Sequence, residues 1–160
     1  MAEHTLSILV DNRPGVLTRV TGLIARRGYN IESLAVDKTE DPRLSRVTLV
    51  TSAEDVPIEQ IKKQLHKLIN VHKIVELGPE DSVDRELALF KVKASTSKRP
   101  EIIKLAEMFK AQVIDVAADT LTIEATGDHH TVAQLEELLT PYGIVELARS
   151  GKLALPRGKH

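Results

Sequence analysis

The tetrapeptide Ile-Val-Glu-Leu occurs twice, at 74–77 and at 144–147. Each copy closes the same succession of apolar patterns, and this duplication constrains the fold more than any other feature. In the first half, Leu6, Ile8 and Val10 alternate, as one face of a strand over 4–10 does. Val16, Leu17, Val20, Leu23 and Ile24 then share one helical face, predicting a helix over 14–27 stopped by Gly28. Strands over 29–39 and 44–52 flank the polar turn Glu40-Asp41-Pro42-Arg43 and form a hairpin. A second helix follows Pro57, with Ile58, Ile61, Leu65, Leu68 and Ile69 as its apolar set, and a strand spans 71–77. The second half repeats this order. A strand over 87–94 precedes a helix over 100–110 with Ile102, Ile103, Ala106 and Phe109 inward. A hairpin turns at Ala118-Asp119, and Asp128 caps a helix that points Val132, Leu135, Leu138 and Leu139 inward. A last strand spans 144–150. Two runs of β-α-β-β-α-β predict an α+β chain of two tandem ferredoxin-like domains. Each has a four-stranded antiparallel sheet with two helices on one face. The polar, Gly-Pro-containing segment 79–85 reads as a linker between a domain at 1–78 and another at 86–160.

Domains this small bury a low fraction of their surface. The four aromatic residues Tyr29, Phe90, Phe109 and Tyr142 leave the cores to Val, Ile, Leu and Ala. Leu9, Leu49 and Val50 are expected on a bare sheet face, which a second copy of the chain would cover; a homodimer through the first half is the expectation. The formal net charge of −1 gives no general attraction to nucleic acid or an anionic membrane. No apolar run approaches the ~20 residues of a membrane span. The chain has no Cys, which excludes thiolate chemistry and fits a reducing cytoplasm.

The loop Asp11-Asn12-Arg13-Pro14-Gly15 joins the first strand to the first helix. Asn12 suits an N-cap and Pro14 a first-turn position, while Gly15 allows close approach to the backbone. The same residues serve a plain helix start or a site for a small anion. Neither a Walker pattern nor G-x-G-x-x-G is present, so a single carboxylate fits better than a nucleotide phosphate. An amino acid would also need partners for its ammonium and an apolar pocket. Asn30 offers an amide and Ile31 an apolar contact from a neighbouring protomer. The six His (4, 66, 72, 129, 130 and 160) lack metal-ligand spacing and read as surface or cap residues. Glu32, Asp37, Glu40 and Asp41 read as solvated hairpin charges, and Glu54-Asp55 as helix-dipole partners. No acid–base pair or oriented nucleophile is set up, which argues against an enzyme on this scaffold. The basic tail residues Arg149, Lys152, Arg157 and Lys159 lack interleaved aromatics. An RNA-recognition module would carry aromatics on its central strands, where this chain has Ser45, Val47 and Leu49. A DNA-binding regulator would need a helix-turn-helix or a strong basic patch, and neither is present.

Several runs of the chain resemble a known family. Leu9 to Leu17 is similar to the opening of an ACT domain, a small amino-acid-binding regulatory module. Arg27-Gly28-Tyr29-Asn30-Ile31-Glu32-Ser33-Leu34, Gln64 to Leu68 and Val145 to Gly151 resemble the small regulatory subunits of acetolactate synthases. The resemblance covers nearly the whole chain and is weakest over 95–110 and 127–142. It implies a subunit without catalytic activity that binds and activates a catalytic subunit and confers feedback inhibition by valine. Thiamine diphosphate, Mg²⁺ and FAD would belong to that partner, and this chain would hold no cofactor or metal of its own. It implies further that valine sits between two ACT protomers. Asn12, Gly15, Val16 and Leu17 of one would form one wall, and Asn30 and Ile31 of the other the facing wall. Physics alone leaves valine, leucine and isoleucine open as effectors.

Overall fold

The computed structural model describes residues 2–53 and 57–158. Its elements run β1 (Ala2–Asp11), α1 (Val16–Arg26), β2 (Asn30–Lys38), β3 (Leu44–Ala53), α2 (Ile58–His66) and β4 (Val71–Leu77). Then come β5 (Ser82–Lys93), α3 (Arg99–Met108), β6 (Gln112–Val116), β7 (Thr120–Gly127), α4 (His129–Leu139), β8 (Ile144–Arg149) and a short β9 (Leu153–Pro156). The strand orders are β2-β3-β1-β4 and β6-β7-β5-β8, with every neighbouring pair antiparallel, so both halves have one topology, and β9 pairs with β5. This is the tandem ferredoxin-like arrangement that the apolar periodicities predict.

The chain forms two compact units, one within Met1–Val83 and Lys152–His160, the other Asp84–Gly151. In the first, Leu6 pairs with Leu49 and Ile8 with Val47, so these four side chains share the helix-covered face and are fully buried. Val20 and Ile24 of α1 and Ile61 and Leu65 of α2 close over them. Burying each such side chain contributes roughly 1.5–3 kcal/mol before entropy is subtracted. In the second unit, Phe90, Val92, Ile102, Ile123 and Leu135 make the equivalent core.

Local sequence explains most element ends. Gly28 adopts φ 85° and ends α1; its N–H donates to Ala25 O and that of Tyr29 to Ile24 O, the paired bonds of a Schellman stop. Asp128 caps α4 by accepting from the Thr131 N–H at 2.8 Å. The helix faces are narrower than the apolar sets suggested. Ile69 is exposed because α2 ends at His66 and the residue falls in the turn before β4, and Ile103 and Leu138 are exposed at the margins of their helix faces.

Two expectations are corrected. Residues 79–85 are not wholly a linker, because β5 already begins at Ser82, and 152–160 group with the first unit rather than the second. The first sheet's outer face is not bare. Leu49 belongs to the core, and Val50 on the outer face is buried. The C-terminal segment lies on this face: the Lys152 N–H donates to Ser33 Oγ at 2.8 Å and Lys152 Nζ to Thr5 Oγ1 at 3.2 Å. Lys159, His160, Glu54 and Asp55 lie outside the described residues.

Candidate functional site

The loop after β1 departs from the predicted cap. Helix α1 starts at Val16 with Gly15, not Asn12, at its N-cap, and Pro14 precedes the helix. Asn12 is diverted across the sheet end: its N–H donates to Arg43 O at 2.8 Å and its Nδ2 to Pro42 O at 3.0 Å. It therefore pins the loop to the β2–β3 turn instead of bonding the helix. Gly15 has φ 85°, and a Cβ there would meet nothing within 4 Å. The first turn of α1 thus has open space in front of it, with no acidic side chain in that turn. Unbonded N–H groups at such an end favour an anion. Val16 is buried in the core, and Leu17 packs partly against it.

Asp11 anchors the base of this loop. Its Oδ2 accepts from Asn70 Nδ2 at 2.8 Å and its Oδ1 pairs with His72 Nε2 at 2.6 Å. Asn70 Oδ1 in turn accepts from Arg19 Nη1 at 2.7 Å. The Asn70 bond first, then that of His72, holds the Asp11 carboxyl below the usual carboxylate range. His72 reaches Asp11 because β4 shifts register: Leu9 pairs with Lys73 but Val10 with Val71, leaving His72 as the extra residue.

The second segment is built the same way. On β2, Ile31 pairs with Thr51 and Ser33 with Val50, so Glu32 is a bulge residue. Its Oε1 accepts from Ser52 Oγ at 2.7 Å and from Asn30 Nδ2 at 2.8 Å. These bonds, Ser52's the larger, keep the Glu32 carboxyl below its ordinary range. Thr51 Oγ1 donates to Asn30 O at 2.8 Å. Asn30 is thereby oriented at an exposed strand start, and Ile31 packs partly on the core. Glu32 is a positioning group, not the free hairpin charge that alternation suggested. A bulge is a one-residue insertion that alternation does not reveal.

These two segments do not meet within one chain. Asp11 pairs with Leu44 at one end of β3, whereas Asn30 pairs with Ser52, eight residues along that strand. At about 3.4 Å per residue the separation is roughly 27 Å. Asn12, Gly15, Val16 and Leu17 form one cluster; Asn30 and Ile31 lie at the sheet's other end. Among the described residues no group of three or more His, Asp or Glu could hold a metal ion, and no helix is long and apolar enough to cross a membrane.

Comparison with known proteins follows this duplicated frame. The family description "AHAS small subunit-like ACT domain" matches residues 6–73, and "Small subunit of acetolactate synthase" matches 85–158. The chain is 56% identical to an acetolactate synthase small subunit of Mycobacterium bovis over 97% of its length and 92% of that protein. It is 50% identical to a protein of Archaeoglobus fulgidus named a probable acetolactate synthase small subunit, over 98% of both chains. The crystal structure of the acetolactate synthase small subunit from Thermotoga maritima superposes with a TM-score of 0.90, at 40% identity and full coverage of both chains. With the ACT frame in the first half and the small-subunit sequence across both halves, the chain belongs to the acetolactate synthase small-subunit family.

Proposed function

We propose that this chain binds the catalytic subunit of acetolactate synthase, raises its activity and makes it sensitive to valine. Valine occupies a site made by two copies of the chain. The carboxylate lies before the first turn of α1 at Gly15, next to Asn12, and the aliphatic group rests on Val16 and Leu17. Asn30 and Ile31 of the second copy close the site. Thiamine diphosphate, Mg²⁺ and FAD belong to the catalytic partner, and this subunit performs no chemistry. One observation carries the reading: two prepared segments, each tied down by a bulge and a buttressed carboxylate, lie at opposite ends of one sheet. Only a second copy can bring such ends together.

Mixed dimers test this directly. A Gly15→Asp chain has a repelling carboxylate in one wall, and an Asn30→Ala chain lacks the amide in the other. Each homodimer should lose valine binding at the interprotomer site. A hybrid of the two, isolated with two affinity tags, has one wild-type site and should bind one valine per dimer by calorimetry. Hybrids that bind no valine, from chains that fold and dimerise, would show that the walls are not shared.

A further inference from the structure

The outer face of the first sheet contains a cavity that the interprotomer site does not use. Register places Arg46, Leu9 and Lys73 in one row across β3, β1 and β4, and Thr48, Ser7 and Val75 in the next. The C-terminal segment crosses above, contributing Leu155, Pro156 and Gly158. The space is a half-open groove of ≈ 400 Å³, within the size range of small-ligand sites. Its apolar walls come from Leu9 and Val75 below and from Leu155 and Pro156 above. Its charges are Arg46 and Lys73, with Glu40 at the rim. Arg46 Nη1 donates to Ser7 Oγ at 2.8 Å, which fixes one guanidinium edge. Lys73 is exposed and makes no hydrogen bond or ion pair among the described residues.

We propose that this cavity binds a small aliphatic carboxylate within a single chain. Arg46 and Lys73 take the carboxylate from opposite sides of Leu9, as charge-assisted hydrogen bonds to an anion require. The hydrocarbon tail fills the space between Val75 and Leu155. Glu40 lies where an α-ammonium would be neutralised, so the ligand's source, a plain carboxylate or an amino acid, is decided at that residue. Two features set this site apart from the interprotomer one. It needs no second copy, and it uses side-chain cations in place of a helix end. Because the C-terminal segment roofs it, occupancy would also hold that segment on the sheet.

The full-length chain carrying Gly15→Asp, which disables the interprotomer site, is titrated with isovalerate and with L-valine to roughly 10 mM, where affinities of about −4 kcal/mol are still read. Amide shifts in NMR spectra should map to Leu9, Lys73, Val75 and Leu155. Lys73→Gln, an exposed substitution that leaves the fold intact, should weaken binding about tenfold, and Arg46→Gln likewise. Equal binding of both probes assigns a plain carboxylate. Tighter valine binding that Glu40→Gln abolishes assigns an amino acid. Absence of shifts at this face, or unchanged affinity in Lys73→Gln, overturns the proposal. The same titration in the wild-type chain reads Gly15 and Asn30 separately, so failure of one site does not imply failure of the other.

Discussion

Gly15 allows backbone strain to be separated from ligand chemistry. Its φ of 85° lies in the left-handed region, and a Cβ would meet no atom within 4 Å. Gly15→Ala therefore introduces no clash, and its whole cost is conformational, roughly 1–2 kcal/mol for an L-residue held left-handed. In a domain of this size that lowers the melting temperature by about 4–8 °C per kcal/mol. Gly15→Asn should cost less, since Asn adopts this conformation more readily than Ala. On the proposed reading Gly15→Asp is tolerated by the fold for the same reason, yet its carboxylate repels the ligand's. Stability should thus rank Gly, then Asn and Asp, then Ala, whereas valine binding should be lost most completely with Asp. Thermal unfolding followed by circular dichroism gives the first order and calorimetry the second. Equal melting of Gly15→Ala and wild type would refute the left-handed loop. Undiminished valine binding by a folded Gly15→Asp dimer would refute the carboxylate's placement.

Three further outcomes follow from the same structure. Asp11 and Glu32 have depressed pKa values in the folded chain. Their stabilisation is complete above the ordinary carboxylate range and disappears as pH falls through the depressed values. Acid titration by NMR should loosen the amides of Asn12 and Asn30 before the core unfolds, and simultaneous loss would contradict the role given to both carboxylates. Glu86, with a side chain 5% exposed, has a buried Oε1 without a hydrogen-bond partner among the described residues. Glu86→Gln, which removes the charge, should leave stability unchanged or raise it by up to about 1 kcal/mol in urea unfolding, and a marked loss would argue against this accounting. Phe90 is fully buried in the second core, and Phe90→Ala should lower the urea midpoint of that unit by an amount equivalent to about 3–5 kcal/mol.

The fold was legible in the sequence because both signals that specify it are periodic. Alternation at Leu6, Ile8 and Val10 and helical spacing at Val16, Val20, Leu23 and Ile24 survive into the core unchanged. What sequence spacing concealed was any feature depending on one extra residue. The register shifts that release His72 and Glu32 follow from no composition rule. Asn12 does not cap α1 because its side chain satisfies Pro42 O across the sheet end, a long-range partner that outcompetes the local cap. Proximity in the chain places the C-terminal segment with the second domain, whereas it groups with the first unit. Its bonds from Lys152 to Ser33 and Thr5 span more than a hundred residues and leave no local mark.

The separation of the two walls has a thermodynamic consequence. A site that lies wholly in one chain binds with an affinity independent of protein concentration. A site whose halves lie roughly 27 Å apart in each copy exists only in the dimer, so on the proposed reading effector binding and dimerisation are linked equilibria. Valine must then strengthen the dimer by the same factor by which dimerisation strengthens valine binding. At a free valine concentration a hundredfold above its dissociation constant, each site would add about 2.7 kcal/mol to association. Sedimentation of the dilute chain should accordingly shift from monomer towards dimer as valine is added. The Asn30→Ala chain, whose loop at Gly15 is intact, should show no such shift. If the Gly15-dependent valine binding kept equal affinity at concentrations where the chain is monomeric, that site would be complete in one copy, and the bulges at His72 and Glu32 would need another explanation.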